Sequence, residues 1–123
     1  MTESKYRVLL VEDEDLISML AEDMLDHLGY ETSASAATLE AGLSAAAAGG
    51  FDVALLDINL RGVLSFPIAD VLTERGIPFL FVSGYSALAM EPRFLKAPRL
   101  QKPYALESLQ QALLRILVTR PSS

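Results

Sequence analysis

The chain has no cysteine, a single histidine and no long apolar run. Without cysteine, neither a disulfide framework nor a thiolate metal site can form. His27 has no histidine or cysteine partner at ligand spacing, so we expect it to be a surface residue and not a metal ligand. No apolar run approaches the length of a membrane span, and residues 1–11 lack the charged-then-apolar layout of a signal peptide. We therefore expect a cytoplasmic protein with no membrane partner.

Positive charge is also scarce, because 10 Lys and Arg stand against 16 Asp and Glu and give a formal net charge of −6. Nucleic-acid affinity comes from basic contacts with phosphates, so this balance argues against direct nucleic-acid binding. Acidic residues crowd the first quarter of the chain, whereas four basic residues lie close together near its end: Arg93, Lys96, Arg99 and Lys102. This separation either steers a charged partner or is an ordinary solvated surface.

At 123 residues, of which 51% are hydrophobic, residues 1–123 form one domain of ordinary size. Continuous apolar runs predict strands at residues 8–11 and 53–56, and three further strands are predicted at residues 30–35, 77–82 and 99–101, of which the first is weaker and the last is brief. Helical patterns fall between them, and the first helix has a predicted apolar stripe of Ile17, Leu20, Ala21, Met24 and Leu28. Residues 85–98 have two prolines and weak periodicity, which predicts a short or mobile fourth helix. Strands that alternate with helices predict a parallel, doubly wound α/β sheet.

Asp57 stands directly after the apolar run at residues 53–56, which reads as a strand buried on both faces. Ligands of open α/β sheets bind beyond the carboxyl ends of the strands, although a lone aspartate there more often caps a turn. The choice between a ligand site and a turn cap depends on the residues near the other strand ends. These residues also carry functional groups: Glu12 and Asp13, Asn59, Ser83, and Lys102. These groups either converge on one crevice or are independent surface residues, and their joint placement favours the crevice.

Carboxylates that converge repel one another unless a cation offsets their charge. Lys102 alone cannot neutralise Glu12, Asp13 and Asp57, and a small all-oxygen ligand set suits Mg²⁺. The sequence therefore implies a magnesium site at this edge of the sheet.

The same set suits phosphoryl transfer to a carboxylate. Asp57 would be the nucleophile that forms an acyl phosphate, while Mg²⁺ and Lys102 would balance the charge on the phosphoryl oxygens. The Ser83 hydroxyl would donate a hydrogen bond to the attached phosphate.

These residues resemble the receiver domains of two-component response regulators, and the resemblance covers almost the whole chain. Residues 8–13 look like the family's first strand and acidic pair, Asp57 its phosphoacceptor, Ser83 its switch hydroxyl, and Lys102-Pro103 its lysine-proline pair, usually cis. The resemblance implies a flavodoxin-like five-stranded sheet in the order 2-1-3-4-5. It also implies that a sensor histidine kinase or a phosphotransfer protein supplies the phosphoryl group and that the chain is a regulator and not an enzyme.

The resemblance assigns the metal ligands as well. Asp13 and Asp57 would bind Mg²⁺ directly, Glu12 through a water molecule, and Asn59 through its backbone carbonyl.

The chain departs from the family pattern at two places. Arg99 stands where the family often has an aromatic switch residue, and the loop that begins at Arg61-Gly62 lacks the common proline. Residues 79–85 and 100–104 are similar to the single-domain subgroup called FATGUY, with Val-Ser in place of Ala-Thr. That subgroup is associated with HWE-type histidine kinases and with stress signalling in alphaproteobacteria.

Three rival hypotheses remain open. A Mg²⁺-dependent phosphatase of the haloacid-dehalogenase type uses a similar residue set, but it requires a second aspartate where this chain has Asn59. A flavin or nucleotide carrier would need a first βα turn that attracts phosphate, whereas residues 12–15 are all acidic. A degenerate receiver would act only as a binding surface.

Output is expected through binding or phosphate relay, because little sequence follows residue 118. Residues 84–98, which begin one position after Ser83, are predicted to be the most mobile segment and to change most on phosphorylation. The face formed by residues 84–104 would then bind a downstream protein, with contacts from Tyr85, Arg93, Lys96, Arg99 and Tyr104. The alternative is an ordinary solvated loop.

Overall fold

The computed structural model describes residues 5–84 and 90–118. In chain order, the elements are β1 (Arg7–Val11), α1 (Asp15–His27), β2 (Glu31–Ala36), α2 (Leu39–Ala48), β3 (Val53–Asp57), β4 (Asn59–Leu60), β5 (Val63–Leu64), α3 (Phe66–Glu74), β6 (Phe79–Ser83), a 3₁₀ turn (Pro92–Phe94), β7 (Arg99–Gln101) and α4 (Leu106–Val118). Within these residues, no helix is both long enough and apolar enough to cross a membrane.

Five of the strands form one parallel sheet in the order β2-β1-β3-β6-β7. This is the predicted flavodoxin-like order 2-1-3-4-5, because β6 and β7 are the fourth and fifth strands of that sheet. The short strands β4 and β5 form a separate antiparallel pair. The predicted doubly wound architecture is therefore confirmed, with β3 between β1 and β6.

The core consists of two apolar layers, one on each face of the sheet. On one face, α2 and α3 pack with Phe66, Ile68 and Leu72 against Ala54 and Leu56 of β3. On the other face, α1 and α4 bury their own set with Val53 and Leu55: Ala21, Leu25, Leu109, Leu113 and Ile116. The alternating sides of β3 explain its continuous apolar run, since both of its faces are covered.

The buried face of α1 differs from the predicted stripe. Ala21 and Leu25 are the buried residues of this helix, and Leu20 is 54% exposed. Leu20 faces a shallow pocket that it shares with Pro103 and Tyr104, so part of the apolar pattern covers the flank of the sheet edge and not the core. The sequence pattern predicted the helix correctly. The face that it predicted to be buried is turned about the helix axis, towards this flank, relative to the face that is buried in the structure.

The helix α2 approaches α3 closely at one glycine. A Cβ atom built on Gly42 would collide with Cδ1 of Ile68 and would lie 3.6 Å from Cγ1 of Val11.

The N-terminus of α2 is capped by the hydroxyl of Thr38, which accepts the Ala41 N–H at 3.1 Å.

The segment predicted to hold a short or mobile fourth helix is described from residue 90 onwards, where it contains only the 3₁₀ turn at Pro92–Phe94. Tyr85 and the four residues after it lie outside the described residues. Phe94 in the turn is buried, so this part of the segment is anchored to the core.

Candidate functional site

The sheet brings four of the predicted residues to one edge. Asp57 is the last residue of β3, and Glu12 and Asp13 follow β1, whose Val11 pairs with Leu56. Lys102 follows β7, and its N–H donates to the Ser83 carbonyl at 2.7 Å. Because these strands are parallel neighbours or one strand apart, their carboxyl ends open onto the same crevice.

The three carboxylates form a compact cluster. One oxygen from each of Glu12, Asp13 and Asp57 lies within 4.8 Å of the others. The residues are only 7%, 9% and 5% exposed, respectively. Three charges this close and this buried are unfavourable without a cation, and carboxylate oxygens are ligands that Mg²⁺ prefers. The cluster therefore fits the divalent cation that the sequence implied.

Lys102 joins two of the three carboxylates. Its ammonium donates to Oε1 of Glu12 and to Oδ2 of Asp57, both at 2.7 Å. The side chains in this bridge are at most 16% exposed, so water screens the pairs only partly. The lysine thereby fixes the orientation of the Asp57 carboxylate, whose other oxygen accepts the backbone N–H of Asn59 at 3.1 Å.

Burial of the cluster changes its protonation. Burial raises the pKa of Glu12 from 4.5 to about 7; the hydrogen bond from Lys102 opposes this rise, and the charge of Asp57 adds to it. Burial alone would lower the pKa of Lys102, but its hydrogen bonds to Asp57 and Glu12 raise that pKa overall. The lysine therefore stays charged at neutral pH, and Glu12 ionises less readily than an exposed glutamate.

The other two predicted site residues lie at the same edge. Ser83 is the half-buried last residue of β6 and pairs in register with Gln101 of β7. Asn59 begins β4, and its side-chain Oδ1 accepts the Gly62 N–H at 2.6 Å. The described contacts of Asn59 are this turn bond and the N–H bond to Asp57, so metal binding through its carbonyl stays a prediction.

Sequence reasoning missed the hairpin that follows Asp57, which it interpreted as a loop. Strands β4 and β5 are joined by Arg61 and Gly62, with φ of 53° and 88°. Two positive φ values at the centre of a two-residue connection are typical of a type I′ turn. The sequence signal is limited to Gly62 at the turn, because the two flanking strands have only two residues each. The hairpin directs Arg61 towards Asp13.

Ser65 is a second residue that sequence reasoning missed. Its side chain is fully buried, and its hydroxyl donates to the Asp57 backbone carbonyl at 2.5 Å. Its backbone N–H donates to the Ile58 carbonyl at 2.9 Å. Ser65 precedes α3 but makes no side-chain cap for it. It therefore fastens the start of α3 to the end of β3, directly behind the candidate acceptor.

Position 99 on β7 is occupied by Arg99, whose side chain is exposed. The aromatic rings cluster elsewhere. Phe94 stacks on Phe66 at 5.7 Å between ring centroids and meets Phe81 edge to face at 5.5 Å. Phe79 completes this phenylalanine cluster. The aromatic ring that anchors the segment after β6 to the core is thus Phe94, which belongs to that segment and not to β7.

The predicted partner-binding face has a more complex charge pattern than its sequence indicated. Arg93 donates to both carboxylate oxygens of Asp70 at 2.8 Å and to Glu91 at 3.0 Å, and its guanidinium lies over the Phe94 ring. The bond from Arg93 lowers the pKa of Asp70. Lys96 and Arg99 are exposed, Tyr104 is half-buried, and Tyr85 lies outside the described residues. The charge of Arg93 is therefore paired and holds the segment on α3, whereas Lys96 and Arg99 are exposed basic residues of this face.

Comparisons with known proteins support this picture. The family model described as the response regulator receiver domain matches residues 8–114. The solution structure of SdrG from Sphingomonas melonis Fr1 is 38% identical, with a TM-score of 0.83 over 94% of this chain and 99% of that one. A BeF3-activated conformation of SdrG, from Pseudomonas melonis Fr1, has the same identity and coverage and a TM-score of 0.78.

The receiver domain of the PhyR response regulator from Erythrobacter litoralis is 27% identical, with a TM-score of 0.80 over 97% of this chain and 95% of that one. No curated protein sequence matches the chain.

Proposed function

Because this chain belongs to the response regulator receiver domain family, we propose that it accepts a phosphoryl group on Asp57 and signals through the resulting change of shape. The single observation that carries the proposal is the bridge from Lys102 to Asp57 and Glu12 inside a buried carboxylate cluster. A turn-capping aspartate would have no need of a buried counter-cation or of two further carboxylates beside it.

In the proposed transfer, a carboxylate oxygen of Asp57 bonds to phosphorus while the P–N bond of a donor phosphohistidine breaks. The bonding electron pair of that P–N bond goes to the ring nitrogen, which then takes up a proton. Lys102 orients the acceptor before the transfer and balances the charge of the phosphoryl oxygens during it. The Ser83 hydroxyl, at the end of the adjacent strand, would donate to the phosphoryl group afterwards.

Mg²⁺ would supply positive charge to the phosphoryl oxygens. We assign its ligands to the carboxylates of Asp13 and Asp57, to Glu12 through water, and to the Asn59 backbone carbonyl. The mutual distance of the three carboxylates supports the first part of this assignment. Lys102 is held by two of the three carboxylates, and the third, Asp13, is paired with Arg61.

The donor would be a sensor histidine kinase or a phosphotransfer protein. An apolar pocket of about 150 Å³ adjoins Lys102 and is lined by Ile17, Leu20, Met24 and Tyr104. Leu16 and Met19 are also exposed on the same helix. We propose that the donor's histidine-bearing element covers this flank, because the pocket adjoins Lys102, whose ammonium is paired with Asp57.

The subgroup and the output face are the finer parts of the proposal. The residues around Ser83 and Lys102 support a FATGUY-type receiver served by an HWE-type kinase. The similarity to SdrG, for which a BeF3-activated conformation is known, supports a comparable activated state here. The face at residues 84–104 would bind the downstream protein. Among the residues of this face that the structure describes, Lys96, Arg99 and Tyr104 would make the contacts.

The test is incubation with a small phosphodonor and Mg²⁺, followed by intact mass measurement. The wild type should gain one phosphoryl group, and Asp57→Asn should gain none. Asp52→Asn is the matched control, because Asp52 precedes β3 at the opposite end of the strand and accepts the Arg7 N–H at 2.7 Å. No gain by the wild type would indicate a degenerate receiver, and turnover of small phosphate esters would indicate a phosphatase.

A further inference from the structure

The hairpin turn places a guanidinium against the carboxylate cluster. Nε of Arg61 lies 3.8 Å from Oδ2 of Asp13, and Nη2 donates to the Asp13 backbone carbonyl at 3.4 Å. These residues are 48 positions apart in sequence. The arginine side chain is 80% exposed, whereas the aspartate side chain is only 11% exposed. A solvated cation therefore reaches a buried anion from outside the cluster.

The position of Arg61 is fixed by the backbone around it. Among the residues that the structure describes, Arg61 is the sole non-glycine residue with positive φ. The turn is held at one end by Asn59, which bonds both Asp57 and Gly62. At the other end, Ser65 holds the Asp57 carbonyl. Since the hairpin is tied to Asp57 on both sides, the base of the Arg61 side chain keeps a constant position relative to the cluster.

The cluster thus divides its carboxylates between two cations. Lys102 pairs with Glu12 and Asp57, and Arg61 pairs with Asp13. The lysine is largely buried, but the guanidinium is exposed enough to swing into solvent, and that movement would break only its two described contacts with Asp13. Asp13 is also one of the two carboxylates assigned above to direct metal binding, so arginine and metal would compete for the same carboxylate.

We propose that Arg61 is a positioning residue of the metal site that competes with Mg²⁺ for Asp13 and weakens its binding. The inference rests on the magnesium part of the proposed function. In the metal-free protein the guanidinium neutralises Asp13, and a divalent cation gains this ligand only when the guanidinium leaves. Exposed ion pairs contribute little, so removing Arg61 should tighten Mg²⁺ binding about two- to five-fold at low ionic strength. Salt should reduce the difference.

The experiment is a direct Mg²⁺ titration followed by calorimetry or by amide chemical shifts, neither of which depends on phosphorylation. Three variants separate charge from backbone conformation. Arg61→Ala removes the charge and keeps an unfavourable positive φ, Arg61→Asn removes the charge with a residue that tolerates it, and Arg61→Lys keeps the charge. Arg75→Ala is the matched control, because Arg75 is an exposed arginine that follows α3, at its opposite end.

We expect Arg61→Ala and Arg61→Asn to bind Mg²⁺ more tightly and Arg61→Lys and Arg75→Ala to stay near the wild type. Unchanged or weaker binding by the two neutral variants would overturn the inference. So would tightening by Arg61→Asn alone, which would point to backbone strain, or equal tightening by Arg75→Ala, which would point to net charge. A wild type that binds no Mg²⁺ would instead refute the metal part of the proposed function.

Discussion

The Lys102 ammonium lies 2.7 Å from the Asp57 carboxylate, although 45 residues separate them in sequence. The same ammonium holds Glu12, so this lysine is the counter-cation of two buried carboxylates at once. Its loss would leave both charges without compensation in a poorly solvated crevice.

Lys102→Ala should therefore lower the free energy of unfolding of the metal-free protein by about 2 kcal/mol, less than the ~3–5 kcal/mol for a fully buried pair because water reaches the bridge. Urea unfolding in a chelator measures this loss, and Mg²⁺ should recover part of it. Lys96→Ala, at an exposed position, is the control and should have little effect. Equal stability of Lys102→Ala and the wild type would contradict the bridge.

Asp13→Asn should have the opposite effect on the metal-free protein. The substitution removes one of three mutually repelling carboxylates without touching the lysine bridge, and we expect a gain of about 1 kcal/mol. The same variant should lose most of the stabilisation by Mg²⁺, which for the wild type is about 1.4 kcal/mol at ten times the dissociation constant. Melting temperatures with and without Mg²⁺ measure both effects, with Asp23→Asn on α1 as the exposed control. If Mg²⁺ raises the melting temperatures of the wild type and Asp13→Asn equally, Asp13 is not a ligand of the metal.

The raised pKa of Glu12 predicts a pH dependence. Its pKa is about 7 in the folded protein against 4.5 ordinarily, so between these values the folded state binds more protons than the unfolded state. The metal-free protein should therefore lose stability as pH rises from about 4.5 through 7. Mg²⁺ affinity should rise over the same change, because deprotonation makes Glu12 an anion.

Chemical denaturation at several pH values in a chelator measures the stability part, and Mg²⁺ titrations at pH below and above 7 measure the affinity part. Glu12→Gln keeps the side-chain volume and should flatten the stability profile in this range. If the stability of the wild type and that of Glu12→Gln change with pH in the same way, the pH dependence comes from a group other than Glu12.

Phe94→Ala should release the segment that follows β6. Phe94 is buried against Phe66, Phe79 and Phe81, and truncation of such a residue costs about 3–5 kcal/mol. Arg93→Ala, which removes an exposed ion pair beside it, should cost at most about 1 kcal/mol. Hydrogen exchange of residues 90–98 should therefore rise strongly in the first variant and slightly in the second.

The same measurement with beryllofluoride tests the prediction that residues 84–98 change most on phosphorylation. Equal protection with and without the phosphate mimic would show that this segment takes no part in the switch.

Gly42→Ala should destabilise the protein although alanine is the better helix former by about 1 kcal/mol. The added Cβ would collide with Ile68 at the contact between α2 and α3, and overpacking costs about 1–3 kcal/mol. Gly42→Ala combined with Ile68→Val removes the colliding methyl and should recover much of the loss. A single variant that is more stable than the wild type would show that the helices separate easily.

The sequence predicted the sheet well because its central strands are covered on both faces. The apolar runs at β1 and β3 have no other simple interpretation, and the strand order followed from the family resemblance. The polar strand-end residues could be located for the same reason, since the end of a strand fixes the position of the next side chain. Their roles in metal binding and phosphorylation stay predictions.

Other features depend on side-chain geometry that periodicity does not contain. The strands of the hairpin have two residues each, too short for any apolar pattern. The hydroxyl of Ser65 donates to the backbone carbonyl of Asp57, a contact that no periodicity in the sequence indicates. Leu20 is exposed and lines a pocket together with Pro103 and Tyr104, which are distant in sequence, so the periodicity of α1 alone could not place it.

The bridge between Lys102 and Glu12 spans 90 residues of sequence. Lys102 directly follows β7, the last strand of the sheet, so the bridge requires that strand to be in place. The Asp57 carboxylate is therefore oriented by its lysine only in a chain that has completed its final strand. If Asp57 is the acceptor proposed above, a partly folded molecule would present a repelling acidic cluster to the phosphodonor, and labelling of Asp57 would report on completed folding.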